Sequence, residues 1–348
     1  MNENKYKVTI GIPVYNVEKY IRETLTRALE QDMDGIEIII VDDCGSDNSL
    51  NIILELQGNH PNGNNIHIIR HTNNLGAAEG RNNIIKNAQG KYIYFLDSDD
   101  LINKSTISTL YAAAEENNAE VTYGSMVACY GDKEEPFSIL PSKVLEGENA
   151  LPNFIYSDIR NNITASSCNI LFLAEFLRKN NILFPVDYKI AEDAIFNEIL
   201  QPLVTKAVLL PDITYYYIKH PNSLMKYEAR DVIDIKEARA SLRFSEHKKD
   251  ICRAATHKSY YAGICAKTMK LTLYDVCGII RHRQILSSSI SDKELRNAMR
   301  HPANIWQIIH FKQHRNINLI FWLLGVLPPK LSVAAIRYIG IKKGYIRL

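Results

Sequence analysis

The chain has no run of 18 apolar residues, no Cys-x-x-Cys spacing, and no acidic residue after Glu294. The first absence excludes a helix that crosses a bilayer. The second sets aside a zinc site or a disulfide framework, because Cys44, Cys129, Cys168, Cys252, Cys265 and Cys277 lie scattered. The opening segment MNENKYKVTIGIPVYN is polar and then β-rich, unlike a secretory leader. A reduced, cytoplasmic protein is the expectation. The turn after the first apolar run, IGIPVYN, carries neither GxGxxG nor GxxxxGK[ST], which removes a dinucleotide oxidoreductase and a P-loop phosphotransferase. It also lacks the Gly-rich, Arg-containing loop of a nucleotidyltransferase.

The third absence makes the charge lopsided. Nine Lys or Arg follow Glu294, so the last 54 residues carry about +9 and the first 294 about −7 within a net +2. A basic tail implies an anionic partner, membrane or nucleic acid. What remains is ordinary for a protein with a real core: 348 residues, 46% hydrophobic and 23% charged.

The first hundred residues alternate between two periods. VTIGIPV (8–14), IEIIIVDD (36–43), NIHIIRH (65–71) and YIYFL (92–96) read as strands buried on both faces. Between them, helices are predicted from Asn16 as N-cap, over 46–56, and over 77–88 with Gly90 at C′. This is the pattern of βαβ units and a parallel α/β sheet. A further helix is expected over 104–116, a strand or hairpin over 119–130, a strand running into a helix over 168–180, a helix over 191–201 and β structure over 207–220. From about 230 the pattern is helical, over 231–247 and 259–287.

Ligands of parallel sheets bind beyond the carboxyl ends of the strands. The four strand ends here are PVYN, Asp42-Asp43, Arg70-His71 and the run Asp97-Ser98-Asp99-Asp100. If strand geometry continues through them, Asp97 and Asp99 face one side. Neighbouring carboxylates repel one another unless a hard cation such as Mg²⁺ or Mn²⁺ relieves them, which points to metal-assisted departure of a phosphate group. A solvated turn with Asp100 capping the next helix is the competing explanation.

Read in order, VTIGIPVYNVEKYIRETLTRAL, IEIIIVDDCGSDNS and NNLGAAEGRNNIIKNAQGKYIYFLDSDDLI resemble the family-2 glycosyltransferases of the GT-A fold. The resemblance is strong over about the first hundred residues and continues more weakly to about 225. It implies a Rossmann-like, mostly parallel sheet flanked by helices over 1–225, which leaves a helical region over 226–348. It also implies inverting transfer of a sugar from a nucleotide diphosphate sugar, with UDP as the nucleotide, to a saccharide acceptor. Such acceptors are often lipid-linked, in cell-surface polysaccharide assembly. By the same resemblance Pro13 and Tyr15 flank the base, with Glu18 close by, and Asp42 accepts from the uracil ring nitrogen. Arg81 lies near base and diphosphate. Asp99 is the metal contact, and Asp97 lies near ribose and metal-bound water. Asp193 of the Glu192-Asp193 pair is the catalytic base. In YYYIKHPNS, Lys219 would pair with phosphate and His220 with metal or diphosphate. A binding module of this fold without turnover is the alternative.

One departure concerns the second strand's end, where the family reads Asp-Asp-Gly-Ser and this chain reads Asp42-Asp43-Cys44-Gly45-Ser46. The QxxRW signature of processive members is absent after Asp193, so addition of one or a few sugars is expected. The C-terminal stretch, with nine apolar residues at 319–327 beside Lys and Arg, suits an interfacial segment on anionic lipid at the inner face of the cell membrane. Nucleic acid is disfavoured by the acidic first part and the lack of a reader fold.

Overall fold

The computed structural model describes residues 5–158, 163, 166–188, 192–220, 235–282 and 290–346. The expected boundary at 225, the start of the helix expected from Asp231 and the end of the one expected to Ser287 lie outside these residues. The chain forms two units. One comprises Met1–Leu151 and Asn162–His220; the other comprises Pro152–Asn161 and Pro221–Leu348.

The first unit is built on a ten-stranded sheet. Its strands are β1 (Tyr6–Val14), β2 (Ile36–Asp42), β3 (Ile66–Arg70), β4 (Gly90–Phe95), β5 (Leu101–Ile102), β6 (Val121–Tyr130), β7 (Lys133–Ser138), β8 (Lys143–Glu146), β9 (Ile170–Leu173) and β10 (Lys206–Ile218). The order is β3-β2-β1-β4-β9-β6-β10-β5, with β7 on β6 and β8 on β10. The expectation of a mostly parallel sheet needs correction. β1 to β4 are parallel, as helical crossovers require, but β9 runs antiparallel to both β4 and β6. The β1–β2 register pairs Val14 with Asp42, and the β2–β3 register pairs Asp42 with Arg70, so the ends of these three strands lie level.

Helices α1 (Ile21–Leu29), α2 (Ser49–Asn59) and α3 (Ala77–Asn87) make the crossovers. α1 shows why the pattern was readable. Ile21, Leu25, Ala28 and Leu29 recur at helical spacing and are buried, while its Arg and Glu residues face out. Each large side chain so buried is worth about 1.5–3 kcal/mol.

Three local expectations fail for physical reasons. Asn16 does not cap α1: it takes a left-handed conformation (φ 52°), and the helix opens at Tyr20 without a side-chain cap. Gly90 is not a C′ residue but the first of β4, where a Cβ would lie 2.5 Å from the Thr9 backbone nitrogen. Asp100 caps no helix, because the next one, α4 (Thr106–Asn117), starts after Ser105. The rest of this unit holds α5 (Ala150–Ser157) in part, α6 (Ala174–Lys179) and α7 (Glu192–Leu200).

The second unit contains α8 (Ile235–Ala254), α9 (Tyr261–Arg281), α10 (Asp292–Ala298), α11 (Ile305–Ile309), α12 (Arg315–Val326) and α13 (Pro329–Lys342). Residues 152–161 join it, and Tyr156 stacks on Tyr260 at 5.7 Å. Two short helices open with reciprocal caps written in the sequence, Ser291 with Glu294 and Asn304 with Gln307. Phe321, Leu324, Val333 and Ile336 of the tail enter a core with Met269, Leu273 and Val276 of α9. The 319–327 stretch therefore packs on its own unit along one face. Its other face leaves Ile320, Leu323 and Val326 exposed. No helix among the described residues is long and apolar enough to cross a membrane.

Candidate active site

Two loops beyond β1 and β2 are laced together. The Asn16 side-chain oxygen accepts from the Ser46 N–H (2.8 Å), and the Val17 N–H donates to the Ser49 hydroxyl (2.9 Å). The Glu18 carboxylate accepts from the Asn48 N–H (2.9 Å), while the Glu18 N–H donates to Asp47 (2.8 Å). Gly45 sits against this lacing, and a Cβ there would lie 3.1 Å from the Asn16 oxygen. The left-handed residue is its neighbour Cys44 (φ 61°), a conformation that favours glycine. The glycine displaced by one place thus serves close approach, and Cys44 bears the strain of the turn.

Asp42 is buried at the strand end and accepts from Arg70 Nε at 3.2 Å and from the Gly45 N–H at 3.4 Å. Asp43 is fully engaged: His71 Nδ1 donates at 2.7 Å, and the Leu75 and Gly76 N–H groups each donate at 2.8 Å. It pins the 71–76 loop beside the β2 end. Tyr15 is half exposed at the rim, and Pro13 is backed by Gly80 of α3.

The acidic run leaves strand geometry after Phe95. The Asp100 N–H donates to the Asp97 carbonyl, which closes a turn over Asp97 to Asp100. A turn, not strand alternation, therefore sets the three carboxylates. Asp97 and Asp99 keep side chains 34% and 42% exposed. Asp100 points inward, where it accepts from the Tyr215 hydroxyl (2.7 Å) and the Ile218 N–H (2.8 Å). Burial, then the charges of Asp97 and Asp99, hold the Asp100 carboxyl well above the usual carboxylate range. It anchors β10 beneath the turn. The Asp99 carboxyl is also raised, by burial and then by Asp97, with His220 opposing.

Arg81 is the hub of the site. Its side chain is only 4% exposed, and α3 projects it between acids that are far apart in sequence. Nη2 donates to Asp97 at 2.8 Å; Nη1 donates to Glu192 at 2.9 Å and lies 3.1 Å from Asp193. The guanidinium also faces the Phe184 ring at 5.4 Å. Burial would depress its pKa, but Asp193, Asp97 and Glu192 hold it well above normal. The expectation of Arg81 beside base and diphosphate thus meets a guanidinium already committed to carboxylates.

Glu192 and Asp193 open α7. Asp193 also accepts from the Ser167 hydroxyl at 2.9 Å. Burial raises both carboxyls; for Asp193 the charge of Arg81 opposes the rise, and for Glu192 the charge of Asp193 adds to it. A raised carboxyl is a stronger proton acceptor than a solvated one. His220 lies against Tyr20 with ring centroids 3.9 Å apart and the planes tilted by 32°, and its Nε2 lies 3.9 Å from the Asp99 carboxylate. Lys219 is elsewhere: its ammonium sits 3.7 Å from the Tyr217 ring centroid and 5.5 Å from that of Phe137, and burial lowers its pKa.

The geometry thus gathers Arg81, Asp97, Glu192 and Asp193 into one cluster, with Asp99 and His220 beside it. Asp43, Ser167 and Tyr215 also take part, though sequence reasoning did not single them out. Asp43 sat beside a chosen residue, and Tyr215 lay in the YYYIKH run. Ser167 had no local signal.

Residues 9–178 match the family model described as Glycosyl transferase family 2. Poly(ribitol-phosphate) beta-glucosyltransferase of Bacillus spizizenii is 33% identical over 214 residues, which is 61% of this chain and 32% of that protein. Poly(ribitol-phosphate) beta-N-acetylglucosaminyltransferase TarS of Staphylococcus aureus is 31% identical over 61% of this chain and 35% of its own length. The chain spans about a third of these relatives. The crystal structure of S. aureus TarS 1-349 in complex with UDP-GlcNAc covers 97% of this chain and 92% of that one, with a TM-score of 0.69 at 22% identity. A mannosyltransferase from Pyrobaculum calidifontis in complex with GDP-Man and Mn2+ shares the fold at a TM-score of 0.51 and 15% identity, covering 97% of this chain and 88% of that one.

Proposed function

Residues 9–178 match the model of glycosyl transferase family 2, and from that match we propose that the chain transfers a hexose or N-acetylhexosamine from a UDP-sugar to a saccharide acceptor, with inversion. The observation that carries this reading is the Arg81 hub, which couples the acidic turn to the Glu192-Asp193 pair at 2.8–3.1 Å. Donor-side and acceptor-side carboxylates then act within one cluster. The activities for which these relatives are named, glucosyl and N-acetylglucosaminyl transfer to poly(ribitol-phosphate), support cell-surface polymer assembly.

In this reading Asp42 accepts from the nucleobase, since an ionised carboxylate only accepts. Pro13 and Tyr15 flank the base, and Glu18 holds the loop that carries them. Asp193 takes the acceptor hydroxyl proton as the oxygen attacks the anomeric carbon. Its raised pKa suits that role, and Ser167 and Arg81 fix its orientation. Lys219, whose ammonium lies over the Tyr217 and Phe137 rings, pairs with the donor phosphate in this reading.

A divalent cation fits the acidic turn. Asp99 is raised by burial and by Asp97, a repulsion that a cation would relieve. Asp97 spends one oxygen on Arg81 and has the other to give, and His220 offers a nitrogen near Asp99. Among the described residues no group of three His, Cys, Asp or Glu side chains could hold a metal alone. That agrees with a cation shared with phosphate oxygens. When bound it would offset charge on the departing diphosphate. The proposal extends to location: a peripheral protein on the inner face of the membrane, attached through the C-terminal unit and acting on a lipid-linked acceptor. A thermal-shift panel of nucleotide sugars with and without Mn²⁺ tests the donor and metal together. Stabilisation by UDP-glucose or UDP-N-acetylglucosamine only with metal is expected; no response to any uridine nucleotide would overturn it.

A further inference from the structure

The second unit carries an open groove of about 660 Å³ where α11 turns into α12. Ile309, His310, Phe311, Lys312, Arg315 and Asn316 line it, and no acidic residue does. Among the described residues Lys312 and Arg315 have no ion-pair partner. Phe311, one of the lining residues, makes an edge contact with Tyr261 at 5.6 Å. The His310 and His314 imidazoles are occupied by carbonyls, of Trp306 at 2.7 Å and Tyr156 at 3.1 Å. Two cations therefore face the groove with nothing of opposite sign beside them among the described residues.

The rim is apolar. Trp306 and Ile309 are three residues apart on α11 and share one face. Trp306 is 72% exposed, the largest exposure of any big apolar side chain among the described residues, although Trp is normally among the better-buried residues. On α12, Asn316 of the groove, Ile320 and Leu323 follow i, i+4, i+7 spacing, and the last two are about half exposed. A cationic pocket flanked by an exposed indole and an aliphatic stripe matches the zones of a lipid interface: phosphate at headgroup level, indole just below it, aliphatic side chains at the acyl boundary. A soluble phosphate would explain the cations but not the exposed Trp306, Ile320 and Leu323.

We propose that this groove is a headgroup site, in which Lys312 and Arg315 hold the phosphodiester of an anionic lipid while Trp306, Ile320 and Leu323 enter the interface. The site gives the membrane attachment proposed above a definite place; it rests on that part of the reading and is independent of the catalytic part. The charge balance favours an anionic surface, because no acid follows Glu294 to repel one.

The test is co-sedimentation of the full chain with vesicles of phosphatidylglycerol and phosphatidylcholine, beside vesicles of phosphatidylcholine alone. Binding to the anionic vesicles only is expected, with loss near 1 M salt. The K312Q/R315Q double variant should lose roughly thirtyfold in partition, about fivefold for each cation removed. The K330Q/R337Q variant removes the same charge from α13 and should stay within about twofold. Equal loss from both pairs, equal binding to neutral vesicles, or displacement by millimolar inorganic phosphate would overturn the site. Should K312Q/R315Q misfold, W306F decides: the wild-type fluorescence quench by brominated lipid should fall sharply in W306F, and an unchanged quench refutes insertion. Stabilisation by UDP, measured on every variant, reports the catalytic reading separately and should not change.

Discussion

Replacing Arg81 by Met removes the cation that faces Asp97, Glu192 and Asp193 at 2.8, 2.9 and 3.1 Å. Met keeps much of the side-chain volume, so the loss is electrostatic rather than a cavity. Removing one partner of a buried ion pair costs about 3–5 kcal/mol. For a unit of this size that is a fall in Tm of roughly 6–20 °C. The pH dependence identifies the cause. Glu192 and Asp193 already have raised folded-state pKa values even with Arg81 present. Without it they rise further above their unfolded values, so protonation favours the folded state. The variant should therefore regain stability as pH falls from 8 towards 5, and the gap to wild type should narrow. Thermal melts followed by circular dichroism at pH 5, 6, 7 and 8 measure this. A Tm within 2 °C of wild type, or a gap that does not change with pH, would refute the hub.

Other substitutions probe the separate devices. Asp99→Ala should fold normally but lose the Mn²⁺-dependent part of stabilisation by UDP; an intact metal response in a thermal-shift assay would remove Asp99 from the metal site. Cys44→Gly should relieve the left-handed strain at φ 61° and raise stability by up to about 1 kcal/mol, visible as a shifted urea midpoint, whereas destabilisation would show that Cys44 makes a needed contact. Tyr215→Phe deprives buried Asp100 of its hydroxyl donor and should cost about 1–3 kcal/mol, read by the same titration.

Much of the architecture was legible because burial imposes period. The strands at 8–14, 36–43, 65–71 and 92–96 lie close to their observed bounds, and α1 follows its apolar stripe. The failures arose where tertiary contacts overrode local preference. Asn16 looks like a cap, but its oxygen is needed by Ser46 across the loop. Gly90 looks like a helix stop, yet it is the only residue that fits against Thr9. Asp100 resembles a cap and instead meets Tyr215 and Ile218, more than a hundred residues away. The site followed the same rule. Asp42, Asp97 and Asp99 were visible as polar strand ends, and Asp193 as half of an acidic pair. That Arg81 joins two of them depends on a fold-level approach of α3 to α7's first turn, which no spacing encodes. The tail mixed both signals, since one face of α12 is core and the other is surface.

Inverting transfer with Asp193 as base fixes both the anomeric outcome and the effect of removing that carboxylate. NMR of the product formed from an α-linked UDP-sugar, Mn²⁺ and a poly(ribitol-phosphate) acceptor should show a β anomeric linkage. Asp193→Asn should still bind the donor while turnover falls by about 10²–10⁴-fold. An α-linked product, or an Asp193→Asn variant that transfers at the wild-type rate, would contradict it.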